Sequence, residues 1–369
     1  MPRMLILCPY PEGVAPGQRL KYEPYVEDWR ARGWEVDVAP FADPALWRIL
    51  FEPGQAARKA LGVLRGHVRR MRDLTRVGRY DLVYVHMNVT PLGTTWSERL
   101  VRARARRLIF DVEDNVIDAA DGVAANAPNP LVRHLKGPNK ALYLIRTADL
   151  VITASPLLNA LYRPLARDPE ACVPITSSVD TDRLRPAPAR AAEPDAPVVL
   201  GWTGTFSTKV YLDRLAPVLR AVAARRRVRL RVVGNFDHAL DGIEVDSVRW
   251  SPEREAEDLQ AMDVGLYPLA HDRWTVGKSG IKAIQYMATG LPTVASDVST
   301  TPDVLDHGRT GLLVPDDDDA WIAALLRLID DPALRRRMGE AARADAVARF
   351  SRRAVRGLYR DAIDRVMAR

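Results

Sequence analysis

Two cysteines, Cys8 and Cys172, are the whole thiol complement of this sequence. They share no C-x-x-C spacing, which excludes a disulfide framework and a cysteine-built zinc site and points to a reducing cytoplasm. Long apolar runs are missing too. The run at the start, Met4 to Cys8, is far shorter than the ~18 residues a membrane span requires, and no leader-type cleavage pattern follows it. It reads as a first buried strand. The glycine fingerprints G-x-G-x-x-G and G-x-x-x-x-G-K-[ST] are absent as well, which removes the usual dinucleotide and P-loop chemistries.

What is present is enough for two cores. A chain of 369 residues, 47% hydrophobic and 27% charged, suits two soluble domains rather than one. Its net charge of +7 is unevenly spread: residues 1–110 hold 19 basic and 11 acidic side chains, and the rest hold 35 and 36. Much of the excess falls between Gln55 and Tyr80. There Arg58, Arg65, Arg69, Arg72 and Arg76 recur at helical spacing opposite a stripe of Leu61, Leu64, Val68 and Met71. A basic amphipathic helix follows, either a solvated surface or a peripheral contact with an anionic membrane face. Nucleic acid is not expected, because no aromatic residues interleave with the basic ones.

Short apolar runs alternate with longer helical patterns along the whole chain, the signature of βαβ units and a parallel sheet. One series includes Met4–Cys8, a helix over Tyr22–Arg32, Trp34–Ala39, Leu82–His86, Leu108–Val112 and Leu150–Thr153. A second includes Val198–Trp202, Val228–Val233, Val245–Trp250, Val264–Tyr267, Thr293–Ala295 and Gly311–Val314, with helices at Lys282–Thr289, Asp319–Ile329 and Pro332–Phe350. Between them the Pro- and Ala-rich residues 183–197 read as a linker. The expected organisation is α/β with two Rossmann-like domains facing each other across a cleft: 1–182, then 198–350, with 351–369 a helix returning to the first domain.

In such sheets chemistry gathers where strands end. After the first strand come Gly13 and Gly17, ahead of a helix expected near Lys21, where backbone N–H groups can meet an anion. His86 closes a strand. Asp111, Glu113 and Asp114 cluster at the end of another, with strand alternation placing Asp111 and Glu113 on one face. Glu113, Asp114 and His86 are therefore candidate catalytic or acceptor-side groups, against a structural capping role. The strongest local pattern is W-T-V-G-K-S-G-I-K-A-I-Q, beginning at Trp274. Lys278, Ser279, Gly280, Lys282 and Gln285 combine small residues, cations and a helix start, which makes a diphosphate cradle. Gly204 and Thr205 end the first strand of the second series and belong with it. The acidic run Asp316–Asp319 opens a helix and reads as its cap, so no metal is expected.

The segment Met287–Trp321, read with Y-D-L-V-Y-V-H-M-N, A-D-L-V-I-T-A-S-P-L-L-N-A-L-Y and the final F-S-R-R-A-V-R-G-L-Y-R-D-A-I-D-R-V-M, resembles the GT-B retaining glycosyltransferases called family 4. The likeness runs nearly the full length. It implies transfer of a sugar, with retention and without a metal, from a nucleotide-diphosphate sugar to an acceptor hydroxyl in bacterial glycan or glycolipid assembly. A natural-product acceptor, or a non-catalytic nucleotide- or glycan-binding protein, is the alternative. The resemblance implies a cytoplasmic enzyme, peripheral at the inner membrane face if the basic helix engages lipid.

The departures are specific. Two family glutamates separated by seven intervening residues are matched by Gly277 and Gln285. A family arginine is matched by Thr205, and a family lysine has only the off-register Lys209. A family histidine is matched by Glu113. Lys278 and Lys282 are the expected replacement cations, with backbone groups of Gly13, Gly204 and Gly280, and with Trp250 near the nucleobase.

Overall fold

The computed structural model describes residues 1–50, 52–91, 94–117, 139–188, 196–272 and 275–369. The chain forms two compact units. The first comprises Met1–Ser177, Val276–Ser279 and Val355–Arg369, and the second Ser178–Thr275 and Gly280–Ala354. Among the described residues, no helix is long and apolar enough to cross a membrane.

The first unit is built on β1 (Arg3–Cys8), β2 (Glu35–Pro40), β3 (Leu82–His86), β4 (Leu108–Val112), β5 (Leu150–Thr153) and β6 (Cys172–Pro174). All pair in parallel, in the order β2-β1-β3-β4-β5-β6. Strands β3, β4 and β5 are buried on both faces, which is why they are short and mostly apolar. The order reverses between β1 and β3, so the loops after those strands flank the crevice of a doubly wound sheet. One face of the sheet is closed by the helix Arg352–Met367, whose Val355, Tyr359, Ile363 and Val366 pack with Met4, Ile6 and Trp29.

The second unit carries β7 (Val198–Gly204), β8 (Val228–Gly234), β9 (Glu244–Arg249), β10 (Val264–Tyr267), β11 (Thr293–Ser296) and β12 (Gly311–Val314). Their order, β12-β11-β10-β7-β8-β9, is that of a Rossmann sheet with its switch point between β7 and β10. The acidic run is used as a cap: Asp317 accepts from the Ala320 N–H at 2.7 Å ahead of the helix Asp318–Asp330.

Two expectations change. The helix expected over Tyr22–Arg32 is broken, because Pro24 sits in a 3-10 turn, Glu23–Tyr25, and only Val26–Ala31 is α-helical. A separate short helix, Pro16–Arg19, starts earlier, so Gly17 lies inside it and Lys21 beyond it. The compositional linker begins within the second unit: Leu184 is buried, and Arg343 donates to the Leu184 and Thr181 carbonyls at 2.7 and 2.8 Å. Residues 189–195 of it lie outside the described residues.

The basic amphipathic helix is present and runs Ala56–Arg76. Its apolar stripe does not face the core. The docked side is instead Gly62, Gly66, Arg70, Asp73 and Leu74. Cβ atoms at Gly62 and Gly66 would stand 2.8 Å from Leu46 and 2.6 Å from the Phe41 ring, so only glycine allows this close approach. Buried Arg70 then donates to the Cys8 and Ala39 carbonyls at 2.9 Å, in the last residues of β1 and β2, and pairs with Asp73 at 3.3 Å. Those bonds decide the helix's rotation and leave Leu61, Leu64, Val68 and Met71 at 47%, 60%, 49% and 44% exposure.

Candidate functional site

The site residues expected from sequence divide between the units. Gly204, Thr205, Lys209, Trp250, Gly280, Lys282 and Gln285 belong to the second, and Gly13, Gly17, His86, Glu113, Asp114, Lys278 and Ser279 to the first.

In the second unit β7 and β8 end side by side on Gly204 and Gly234. A Cβ at Gly204 would stand 2.5 Å from Lys282 Nζ, so the missing side chain is what admits the ammonium. Lys282 Nζ donates to Thr208 Oγ1 at 3.1 Å and lies 4.4 Å from the centre of the Trp202 ring. Lys282 is in the first turn of the helix Ile281–Ala288, whose N-cap is Gly280 at φ +69°. The N-cap glycine has no side chain with which to cap that helix. Its opening N–H groups and the Lys282 cation therefore favour negative charge at the same strand end. Thr205 is exposed, with its hydroxyl 2.9 Å from Ser207 Oγ.

Gln285, one turn further on, is buried, and its Nε2 donates to Glu255 Oε1 at 3.1 Å. The same carboxylate accepts from Trp250 Nε1 at 3.3 Å and pairs with Arg183. Glu255 thus fixes the amide with its nitrogen inward, leaving Oε1 as the acceptor that Gln285 presents. Sequence reading missed Glu255, which sits in the charged run E-R-E-A-E-D and gives no apolar signal of burial. Lys209, the off-register counterpart of the family lysine, has its Nζ paired with both oxygens of Asp213, at 2.7 and 2.8 Å.

In the first unit Asp111 is fully buried and belongs to the framework. Lys21 Nζ lies 3.1 Å from Asp111 Oδ1, Tyr84 Oη donates to Oδ2, and His86 Nδ1 stands 3.7 Å from Oδ2. Burial raises the Asp111 carboxyl, but Lys21, His86 and Tyr84 outweigh it and hold the group below the usual carboxylate range. His86 is consequently a buried neighbour of an ion pair. Glu113 and Asp114 lie past the end of β4, in the loop rather than on alternating strand faces. Burial pushes the Glu113 carboxyl up to about 7 against the pull of His86 and Lys21. Its Oε2 occupies the space beside Gly17 that a Cβ would fill.

Asp114 Oδ1 lies 3.8 Å from Lys278 Nζ. The segment carrying Lys278 is anchored by Ser155 Oγ, which donates to the Gly277 carbonyl at 3.1 Å. Gly277 has φ +87°, and a Cβ there would meet Leu158 at 2.9 Å, so glycine is required on two counts. Ser279 beside it is half-buried. The Gly13 N–H is not open to a phosphate, because it donates to Glu23 Oε2 at 2.9 Å, and Gln18 holds the other Glu23 oxygen at 3.0 Å.

Two parallel, doubly wound six-stranded sheets are the architecture of the GT-B glycosyltransferase folds. A sucrose-phosphate synthase from Thermosynechococcus elongatus has this fold, with a TM-score of 0.74 at 19% identity over 100% of this chain and 99% of its own. Anabaena HepE, solved in complex with UDP-glucose, superposes with a TM-score of 0.67 at 15% identity over 98% and 99% of the two chains. Residues 197–331 match the family described as glycosyl transferases group 1. A D-inositol 3-phosphate glycosyltransferase from Saccharomonospora viridis is 32% identical over 352 residues, 84% of this chain and 76% of that protein. An MMP alpha-(1->4)-mannosyltransferase from Mycolicibacterium hassiacum is 26% identical over 395 residues, covering 98% and 90%. The chain belongs to the group 1 glycosyltransferases and is an enzyme of that class.

Proposed function

We propose that this glycosyltransferase takes its sugar from a nucleoside-diphosphate sugar and transfers it, with retention, to an acceptor hydroxyl in the assembly of a bacterial glycan or glycolipid. The observation that carries the reading is Lys282, held between the Trp202 ring and Thr208 beside Gly204, at the uncapped start of a helix. The bond between the anomeric carbon and the donor phosphate oxygen breaks, and the acceptor oxygen takes its place on the same face of the sugar. Negative charge grows on the departing nucleoside diphosphate, where a fixed ammonium and helix N–H groups lower the barrier without metal assistance. Lys278 is a second cation for that charge. Gln285 Oε1, oriented through Glu255, accepts from a donor hydroxyl, and Trp250 lies beside it for the nucleoside.

On the acceptor side Glu113 is the group suited to receive the hydroxyl proton, since a carboxyl that titrates near neutrality can both take and release one. Asp114 is a hydrogen-bond acceptor for the same substrate. The enzyme works in the cytoplasm and at the inner membrane face when its acceptor is a lipid. A thermal-shift screen of UDP-, GDP- and dTDP-sugars tests the donor assignment, because a ligand of the folded state raises the melting temperature by mass action. Binding of one of them, lost in Lys282→Ala, supports it; no shift with any, together with no calorimetric binding, overturns it.

A further inference from the structure

The loop that joins β10 to the helix Ile281–Ala288 carries Lys278, and shortly before that residue it is fixed at a buried point, Thr275. The Thr275 N–H donates to Asp272 Oδ1 at 2.7 Å, and its hydroxyl donates to the Ala270 carbonyl at 2.6 Å. The Thr275 carbonyl accepts from Ser299 Oγ, also at 2.6 Å. Ser299 comes from another strand end, the turn after β11, and its backbone is left-handed, with φ +56°. A residue with a Cβ holds that conformation at a cost that glycine avoids. The turn enforces it through Thr301, whose Oγ1 lies 2.6 Å from both the Ser296 and the Val298 carbonyls and accepts from the Val298 N–H at 3.2 Å. Strain of this kind persists where the surroundings over-determine it. What serine supplies here, and glycine cannot, is the hydroxyl on Thr275.

We propose that Ser299 is a positioning residue for Lys278: by fixing the Thr275 carbonyl it holds the loop in the shape that presents the Lys278 ammonium to the donor diphosphate. The chain passes from Thr275 to Lys278 through Val276 and Gly277 alone, so a shift at the first reaches the last. The Gly277 carbonyl is held in its turn by Ser155 Oγ, at 3.1 Å. Each hydroxyl thus fixes one carbonyl of the approach to the lysine. Without the Ser299 bond the donor itself has to order the loop, and that cost is taken from its binding. Ser299 acts through the loop and not on the substrate. The inference rests on the donor reading given above and deepens it, by naming what sets the second cation in place.

The test is calorimetry of the purified full-length protein with UDP, GDP and dTDP, together with the variants Ser299→Gly, Ser299→Ala and Lys278→Ala. Both Ser299 variants lack the hydroxyl, but only Ser299→Ala keeps a Cβ on the left-handed backbone. Ser299→Gly is therefore expected to melt about 2 °C or more above Ser299→Ala, while the two bind the nucleoside diphosphate equally, about tenfold more weakly than wild type. Affinity that follows the melting temperature instead, with Ser299→Gly binding like wild type, marks a serine of the fold alone and overturns the proposal. A double-mutant cycle locates the action. Added to Lys278→Ala, Ser299→Gly should weaken binding by less than about twofold, because the lysine it places is already gone. A further loss of about tenfold in that background also overturns the proposal. If none of the three nucleotides binds the wild type, the donor reading falls and the role of Ser299 with it. If one binds and Lys278→Ala weakens it but neither Ser299 variant does, the donor reading stands and only the role of Ser299 falls.

Discussion

Lys21 Nζ lies 3.1 Å from Asp111 Oδ1, and neither side chain has any exposure to solvent. The ammonium also donates to the Ile175 carbonyl at 2.6 Å, and the same carboxylate lies 3.5 Å from Tyr359 Oη. This pair therefore ties the region after β1 to β4, to the segment after β6 and to the last helix. Removing one partner strands a charge. Lys21→Met is expected to destabilise the protein by about 3–5 kcal/mol, and Lys21→Met with Asp111→Asn to recover part of that. Denaturant titration of the two variants checks this.

Glu113 gives a pH dependence with a defined sign. Its carboxyl holds a proton more firmly when folded, at about 7, than the ordinary value of 4.5. Its contribution to stability is therefore complete below about 4.5 and is lost as pH rises through about 7. Turnover, in contrast, is expected to rise over the same interval as the base ionises. In Glu113→Gln the rising limb of the pH–rate profile should vanish, and the fall in melting temperature between those pH values should flatten.

Gly17 separates stability from activity. A Cβ there would stand 2.1 Å from Glu113 Oε2, so Gly17→Ala must push the carboxylate aside by about 1 Å or more to reach ordinary contact. A displacement of that size at a reacting group costs on the order of 100-fold in rate. The helix Pro16–Arg19 gains from alanine instead, by about 0.5–1 kcal/mol. A large loss of kcat with a melting temperature equal to or above wild type is the expected pair of readings.

The donor side is dissected by two variants. Lys282→Ala removes a cation aimed at developing charge and should lower kcat/KM on the order of 100-fold. Glu255→Gln keeps the shape but weakens the acceptor shared by Gln285, Trp250 and Arg183. Its effect should appear mainly as a higher KM for the donor, about tenfold, because it frees the Gln285 amide to turn. Equal KM values for Glu255→Gln and wild type would remove Glu255 from any positioning role.

Much of the fold was legible because parallel strands buried on both faces have to be unbroken apolar runs. Leu82–His86, Leu150–Thr153, Val264–Tyr267 and Gly311–Val314 could be read residue for residue on that basis. The three-residue β6 could not, since Cys172–Pro174 is too short to show a period. The outward stripe of Ala56–Arg76 was equally hidden. Periodicity reveals a stripe but not which side docks, and the deciding features were Gly62, Gly66 and a buried Arg70, none of them apolar anchors. At the site, the glycine-and-lysine segment stood out because its composition is unusual. Glu255 did not, because an acid in a charged run is buried only by what the rest of the chain brings to it.

The helix Arg352–Met367 also sets an order of events during synthesis. Its Val355, Tyr359, Ile363 and Val366 complete a core begun by Met4, Ile6, Tyr22 and Trp29, yet the ribosome makes it after every residue of the second unit. At about 5–20 residues per second, the first unit waits on the order of ten seconds or more with that apolar face uncovered. The second unit, whose own core needs nothing from beyond residue 354, is free to fold first. The part of the chain that emerges earliest is thus the one whose packing finishes last.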